Sequence, residues 1–240
     1  MRDHNAEYQD NAERQYAYDF DYLMRDYMMR TFAPYYQGKA LELGCFEGGT
    51  TQRLARYFDD LTVVEAADSL IEIAKTNVPE RVQFIHATIE TAELEPVYDS
   101  IFLMHTLEHL DDPIPALARI RNWLSPTGRL FVVVPNANAA SRQIAVKMGL
   151  IETNQSVTAG ERAHGHRCTY SLDTLEHEVR QAGLTILTRG GVFFKPFANF
   201  QFDILIKNQV IDPAYLEGCY ALGMQYPELS ASVYTICTRD

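Results

Sequence analysis

One stretch of this 240-residue chain indicates its fold most directly, and it reads Leu41-Glu42-Leu43-Gly44-Cys45-Phe46-Glu47-Gly48-Gly49. The apolar run at 40–43 predicts a buried strand, and the glycines after it predict a tight turn into a helix over 50–58. In a doubly wound α/β sheet the first turn of this kind lies against the ligand, because glycine lets the backbone approach it closely.

The same alternation of strand and helix continues along the chain. Short apolar runs predict six further strands, at 61–64, 82–85, 100–104, 130–134, 184–188 and 232–238. Amphipathic segments between most of these runs predict the intervening helices. This order predicts an α/β fold with a doubly wound, mostly parallel seven-stranded sheet and right-handed crossovers.

Helix starts are marked by polar residues. Ser69-Leu70-Ile71-Glu72 has the pattern of a capping box, and Asp112-Pro113 places Asp at the N-cap and Pro at the first helical position. Ser171 predicts a third start, for a helix that ends at Gly183.

Three segments fall outside the alternation. Residues 1–37 are rich in aromatic residues and predict a helix over 17–32, ahead of a main domain at 38–240. This helix either packs on the main core or forms a flap over a small-molecule pocket. The other two segments, 136–168 and 192–230, are predicted insertions that can cover a site at the carboxyl ends of the strands.

Composition argues against several classes of partner and location. A formal net charge of -11 repels polyanions, so no nucleic-acid partner is expected. No apolar run reaches the ~18 residues that span a bilayer, and the polar N-terminus does not have the pattern of a signal peptide. The four separated cysteines (Cys45, Cys168, Cys219 and Cys237) favour a reducing, cytoplasmic location. The sequence gives no indication of oligomeric state.

Glu65 ends the second predicted strand. A carboxylate at that position can accept both hydrogen bonds from a ribose diol. Together with the glycine turn it indicates a cofactor that contains adenosine. The spacing of Gly44, Gly48 and Gly49 does not match the G-x-G-x-x-G fingerprint of dinucleotide binding.

The turn resembles a known motif. Glu42-Leu43-Gly44-Cys45-Phe46-Glu47-Gly48 is similar to the E/D-x-G-x-G-x-G motif of class I S-adenosylmethionine-dependent methyltransferases. His105-Thr106-Leu107-Glu108-His109-Leu110-Asp111-Asp112-Pro113 resembles the H-x-L-E-H-x-x-D-P stretch of their ubiquinone-biosynthesis-like members. Leu124-Ser125-Pro126-Thr127-Gly128-Arg129-Leu130 resembles the L-x-P-G-G-x-L turn of the same group. The resemblance covers about residues 39–135.

This resemblance implies a Rossmann-like methyltransferase fold, S-adenosylmethionine as cofactor, and methyl transfer to a small or amphiphilic acceptor, with O-methylation favoured. In the family pattern Gly44 contacts the methionine amino group through its backbone, Glu65 holds the ribose, and Ala66 lies near the adenine. The implied cofactor site is Glu42, Gly44, Cys45, Phe46, Gly48, Glu65, Ala66, Thr88, Ile89 and His105.

Two residues depart from the pattern. Phe46 replaces the middle glycine of the motif and is expected to keep ordinary backbone angles while narrowing the pocket. Thr88 replaces an acid that meets the adenine amino group, so that contact is expected to pass to the backbone of Ile89. Both departures favour the alternative of a cofactor-binding module with degenerate catalysis.

His105, Glu108 and His109 also form an H-x-x-E-H pattern, which on one helix would serve a metal-dependent hydrolase. The Asp111-Asp112-Pro113 sequence leaves little room for that helix. Related methyltransferases bind a divalent ion at E-x-x-E-H, where this chain has His105 in place of the first acid. No metal is therefore predicted, and His109 is interpreted as structural.

A second histidine cluster, His164-Gly165-His166-Arg167-Cys168-Thr169-Tyr170, precedes the helix that Ser171 caps. It resembles a G-H-R-x-x-Y/S stretch in related methyltransferases, where lids over the substrate occur. His164, Arg167 and Tyr170 are therefore predicted to bind the acceptor, and a solvated surface loop is the alternative. Because histidine titrates near neutral pH, the candidates for a general base are His105, His109 and His166.

Overall fold

The computed structural model describes residues 4, 5 and 18–239 and contains one seven-stranded sheet. The strands are β1 (Ala40–Leu43), β2 (Leu61–Glu65), β3 (Gln83–His86), β4 (Tyr98–Met104), β5 (Leu124–Pro135), β6 (Thr185–Phe194) and β7 (Ser230–Thr238). They lie in the order β3-β2-β1-β4-β5-β7-β6, and β7 runs antiparallel to both of its neighbours. The predicted α/β class and mostly parallel sheet are confirmed.

Helices cover both faces of this sheet. They are α1 (Asp19–Phe32), α2 (Gly49–Leu54), α3 (Asp68–Asn77), α4 (Pro113–Trp123), α5 (Ala140–Lys147), α6 (Ala159–Ala163), α7 (Leu172–Gln181), α8 (Asn199–Lys207) and α9 (Pro213–Gln225). None of the helices in the described part of the chain is long and apolar enough to cross a membrane.

Alternate side chains of the central strands pack into two separate hydrophobic cores, one on each face of the sheet. On β4 and β5, Phe102 and Phe131 stack with their ring centroids 4.7 Å apart in the core beneath α1. Their neighbours Leu103 and Val132 point to the opposite core, which α4 and α7 cover. This alternation follows from the two-residue period of a strand, and burial on both faces explains the continuous apolar runs in the sequence.

The aromatic N-terminal segment forms α1, close to the predicted 17–32. Phe20, Met24, Met28 and Phe32 are buried in the main core, and the Phe20 ring stacks on Phe202 of α8 at 4.2 Å. The helix thus packs on the core, which was one of the two predicted alternatives. Its first turns also line a cavity.

The helix starts differ in how well the sequence predicted them. Ser171 caps α7 as predicted, since its Oγ accepts the Thr174 N–H at 3.3 Å. The capping box predicted at Ser69 is wrong: α3 begins at Asp68, and its N-cap is Ala67. Glu65 binds the backbone just before the helix, because its Oε1 accepts the Ala66 and Ala67 N–H groups at 2.8 and 3.0 Å.

Both predicted insertions are ordered helical segments. The first, between β5 and α7, contains α5 and α6. The second is shorter than predicted, because β6 continues to Phe194 by pairing with β7 down to Ser230. Its helices, α8 and α9, pack on the same side of the sheet as α1.

Candidate active site

A cavity of about 1050 Å³ opens at the carboxyl ends of the parallel strands. Its walls come from two different sources. We call one the turn side, formed by Gly44, Cys45, Phe46, Glu65, Ala66, Thr88 and Ile89. We call the other the insertion side, formed by Asp21, Met24, Glu161, His164, His166, Lys195 and Asn199. His105 lies on the wall as well, directly after β4.

The turn side begins at Gly44, whose φ of +77° is one that side chains rarely adopt. Its N–H donates to the Val64 carbonyl at 2.9 Å, so only its own carbonyl is left for a ligand. A Cβ here would lie 2.8 Å from the Thr106 Oγ1. That hydroxyl donates to the Leu43 carbonyl at 3.0 Å and ties the ends of β1 and β4 together.

Phe46 does not have the ordinary backbone angles that we expected. Its φ is +50°, between Gly44 at +77° and Gly48 at +85°. The turn therefore needs the left-handed conformation at all three positions of the motif, and a phenylalanine adopts it at a cost of about 1–2 kcal/mol. The substitution keeps the shape of the turn and adds a ring to the cavity wall.

Glu65 is 8% exposed and has more hydrogen-bond partners than the sequence predicted. Besides the Ala66 and Ala67 N–H groups on Oε1, its Oε2 accepts the Cys45 N–H at 2.9 Å. The carboxylate thus joins the turn after β1 to the start of α3. A carboxylate has about four lone-pair positions, so one remains on Oε2 for a ligand.

Two residues of the predicted cofactor set lie behind the cavity wall. Glu42 is 1% exposed within β1, and burial raises its pKa to about 8. Gly48 is the N-cap of α2 and approaches Ala74 of α3, 3.1 Å from where its Cβ would be. Neither borders the cavity. Thr88 and Ile89, in contrast, border the cavity.

Arg25 is a wall residue that the sequence did not point to. It projects from α1 beside the Tyr22 ring, with its guanidinium carbon 4.8 Å from the ring centroid. It is close enough to lower the pKa values of both Glu42 and His105. In the sequence, the sign of this role was a cation among the aromatic residues of α1. It could not be interpreted without knowing where the helix packs.

His105 follows β4 with a φ of +54°, a strained conformation for a non-glycine residue. This conformation brings its Nε2 to 3.2 Å from the Ser232 Oγ of β7. Burial, with Arg25, His166 and Lys195 nearby, lowers its pKa to about 3. The ring is therefore neutral near pH 7 and is a weak base.

Glu108, His109 and His166 come together although His166 is far away in sequence. The two imidazole rings are 4.7 Å apart, and one donor atom from each of the three residues lies within 4.8 Å of the others. Both carboxylate oxygens of Glu108 are buried with no hydrogen-bond partner among the described residues, and burial raises the pKa of this group to about 8. This donor set fits a divalent cation.

The structure does not have the geometry that the metal-dependent hydrolase alternative requires. Leu107–His109 is only a single 3-10 turn, and His105 lies before it on the strained residue after β4. The H-x-x-E-H pattern therefore does not lie on one helix as those hydrolases require.

The segment 164–170 divides between two locations. His164 and His166 line the cavity, as predicted. Arg167 instead lies 3.1 Å from Asp111 at the surface. Tyr170 is 1% exposed in the core under α4 and α7, where its hydroxyl donates to Glu178 at 2.8 Å. These two residues do not border the cavity, which corrects their assignment to the acceptor.

Lys195 and Asn199 complete the insertion side. Lys195 follows β6 and donates to the Asn199 Oδ1 at 2.6 Å, and Asn199 donates to the Asp21 Oδ1 of α1 at 2.7 Å. Burial lowers the pKa of Lys195. Neither residue is predicted from the sequence, because both lie in a segment without a recognisable motif.

A family model described as a methyltransferase domain matches residues 14–189. The chain belongs to this methyltransferase family. The match includes α1, the turn after β1, and the histidine segment, so it covers the turn side and most of the insertion side, but not Lys195 and Asn199.

This methyltransferase is similar to curated relatives named ubiquinone biosynthesis O-methyltransferase. The protein from Xylella fastidiosa is 28% identical over 181 residues, which cover 72% of this chain and 71% of the relative. The mitochondrial protein from Schizosaccharomyces pombe is 27% identical over 116 residues, or 46% of this chain. In that case the matched part is only 42% of the relative's length.

A solved structure confirms the fold. The methyltransferase resembles a Thermotoga maritima protein described as a SAM-dependent methyltransferase and possible histamine N-methyltransferase. The TM-score is 0.65 at 17% identity, with 98% of this chain and 100% of that one covered. The cofactor of the family is S-adenosylmethionine, as the turn motif predicted.

Proposed function

We propose that this methyltransferase transfers the methyl group of S-adenosylmethionine to a hydroxyl oxygen of a small, partly apolar acceptor. The observation that carries the proposal is that the motif turn and the histidine segment face each other across one cavity. The names of the curated relatives support O-methylation. Net charge of -11 and a cavity of about 1050 Å³ support a small molecule over nucleic acid.

The turn side supplies the groups that the cofactor needs. When bound, the cofactor supplies the activated methyl group that is transferred. The Gly44 carbonyl accepts from its amino group, Glu65 accepts from its ribose, and the backbone at Thr88 and Ile89 borders its adenine. Arg25 of α1, which also lines the cavity, is the cation that can pair with its carboxylate.

His166 is the histidine best suited to take the proton of the acceptor hydroxyl. It lines the cavity, and burial lowers its pKa while the Glu161 carboxylate opposes that shift. It is thus neutral at pH 7 and able to accept a proton. The pKa of His105 is lowered to about 3 although the Glu108 Oε1 lies 3.8 Å from its Nδ1, so His105 serves better to orient the acceptor through its bond with Ser232.

Glu108, His109 and His166 would hold a divalent cation where one binds. The cation would act as a Lewis acid that favours loss of a proton from the acceptor. His166 cannot both bind a metal and accept a proton, and we propose that the reaction proceeds without metal.

We also propose a cytosolic location. All four cysteines are free in the structure, and three of them are buried, which is consistent with a reducing compartment.

The proposal is tested first on cofactor binding. Arg25→Met should weaken S-adenosylhomocysteine binding about 10-fold in titration calorimetry, because a charge-assisted hydrogen bond is lost. Arg56→Met, at an exposed position after α2, is the matched control and should bind normally. Equal affinities of the two variants for S-adenosylhomocysteine would show that Arg25 does not bind the cofactor.

Release of S-adenosylhomocysteine with a panel of phenolic and aliphatic alcohols then tests catalysis. Normal cofactor binding without turnover on any acceptor would favour the alternative of a degenerate cofactor-binding module.

A further inference from the structure

The insertion side of the cavity carries a lysine whose charge the proposed reaction does not use. Lys195 is half-buried, and its ammonium group has three N–H donors. One of them meets the Asn199 Oδ1 at 2.6 Å. No carboxylate of the described residues lies within 4.0 Å of it, the distance at which the other ion pairs of the protein form.

The nearest carboxylates already have other partners. Asp21 accepts the Tyr18 N–H at 2.8 Å and the Asn199 side-chain amide at 2.7 Å. Glu161 lies 2.5 Å from Arg142 and accepts the Thr158 N–H at 2.8 Å. Both act on Lys195 only from a distance, and Arg142 opposes them. The ammonium is thus left with donors that face the cavity.

A partly desolvated ammonium without a close counter-ion is costly. Lysine on a cavity wall is therefore most simply explained by an anion that the cavity receives. Other parts of the cavity wall are apolar: Phe20, Met24, Met28 and Met104 are each under 9% exposed and border the same cavity. Methionine side chains adapt to varied shapes, so this wall suits an apolar body.

Resting on the proposed methyl transfer, we infer that the acceptor is an apolar acid, a small molecule whose oxyanion pairs with Lys195 and whose body packs on Met24 and Met28. Asn199 holds the lysine in place through Asp21 of α1. The methyl-accepting hydroxyl then lies toward His105 and His166, on the same wall. Lys195 is a specificity residue here: it selects an acid over a neutral analogue of the same shape.

The experiment compares matched acids and amides. Benzoate and hexanoate, with benzamide and hexanamide, are titrated into the protein saturated with S-adenosylhomocysteine. The wild type should bind each acid at least about 10-fold more tightly than its amide, because only the acid forms a charge-assisted pair. Lys195→Met should remove that preference, and Lys195→Arg should keep part of it. Lys207→Met, an exposed lysine on α8, should keep all of it.

A second measurement needs no variant. Lysine modification by trinitrobenzenesulfonate, mapped by peptide mass spectrometry, should be slowed at Lys195 by benzoate and not by benzamide. Lys207 in the same sample should be unaffected.

Equal binding of acid and amide to the wild type overturns the inference, and so does an acid preference that survives in Lys195→Met. Failure of every acid to bind, while S-adenosylhomocysteine still binds, also overturns it and leaves the proposed function intact. Loss of stability in Lys195→Met with no protection of Lys195 in the wild type would show a purely structural lysine.

Discussion

The turn side and the insertion side of the cavity are built in opposite ways. The turn side is made of backbone: three left-handed residues in five positions, held by hydrogen bonds from neighbouring strand ends. The insertion side is made of side chains from α1, the loop after α6 and the start of α8. Backbone geometry leaves a motif in the sequence, whereas side chains collected from distant segments do not. The cofactor was therefore predictable and the acceptor was not.

The largest expected effect is on the insertion side, at His166. His166→Ala should lower methyl transfer ~10²-fold or more with unchanged S-adenosylhomocysteine affinity, because the general base is lost. In the wild type the rate should begin to fall only at a pH below the ordinary imidazole pKa of about 6.5, since burial lowers the pKa of His166. This acid limb should be absent from His166→Ala.

Arg167→Ala is the matched control for His166, because the Arg167 side chain does not border the cavity and pairs instead with Asp111 at the cavity edge. It should retain nearly full activity. Equal losses in the two variants would show that the loop acts as one structural unit and would contradict the assignment of the base.

A smaller effect is expected on the turn side, at Gly44. Gly44→Ala combines left-handed strain with a contact 2.8 Å from the Thr106 Oγ1. We expect S-adenosylhomocysteine binding to weaken about 30-fold, equivalent to roughly 2 kcal/mol. Gly149→Ala separates the two causes, since Gly149 has φ +75° and no atom within 4 Å of the place where a Cβ would lie. That control should lose stability and keep its affinity for the cofactor.

Glu65 should show an effect of about 10-fold. Glu65→Gln keeps one acceptor oxygen and places an amide NH₂ against a backbone donor or the ribose. We therefore expect cofactor affinity to fall about 10-fold, together with a lower melting temperature because the Cys45, Ala66 and Ala67 N–H groups lose partners. Glu72→Gln, on the exposed face of α3, should change neither calorimetric affinity nor melting temperature.

The smallest effect concerns metal. Protein purified without added metal should contain substoichiometric zinc by elemental analysis, and EDTA should not change its activity. Added Zn²⁺ should inhibit a few-fold by occupying His166 with Glu108 and His109, and His109→Ala should relieve the inhibition. Activation by Zn²⁺ or a stoichiometric, EDTA-resistant ion would instead establish the metal-assisted route.

The sequence predicted the parts of the fold that depend on short periodic patterns. Strand β1 matches its predicted limits, and α1 begins two residues later than expected. The errors arose where a distant partner decides the structure. Pairing with β7 extends β6 to Phe194, and α3 begins at Asp68 and not at Ser69, next to an Ala67 N-cap whose N–H donates to Glu65 at the end of β2.

Site residues follow the same division. Gly44, Glu65, Thr88 and Ile89 lie on the cavity wall as the motifs indicated. Tyr170 does not, because its position in the histidine segment could not reveal that the chain turns into the core there to pair with Asn136. Arg25 and Lys195 become meaningful only once α1 and α8 pack side by side over the cavity.

The hydrogen bonds of the turn after β1 affect which cellular metabolites can bind in the cofactor site. The N–H groups of Gly44, Cys45 and Gly48 are already donated to Val64, Glu65 and Cys45 within the protein. A phosphate-binding turn must offer such N–H groups outward, as an anion nest does. Here they point inward, and a carbonyl and a carboxylate border the cavity in their place. The turn therefore offers none of these three N–H groups to a pyrophosphate, and we expect ATP and NAD, which share the adenosine, to bind more weakly than S-adenosylhomocysteine.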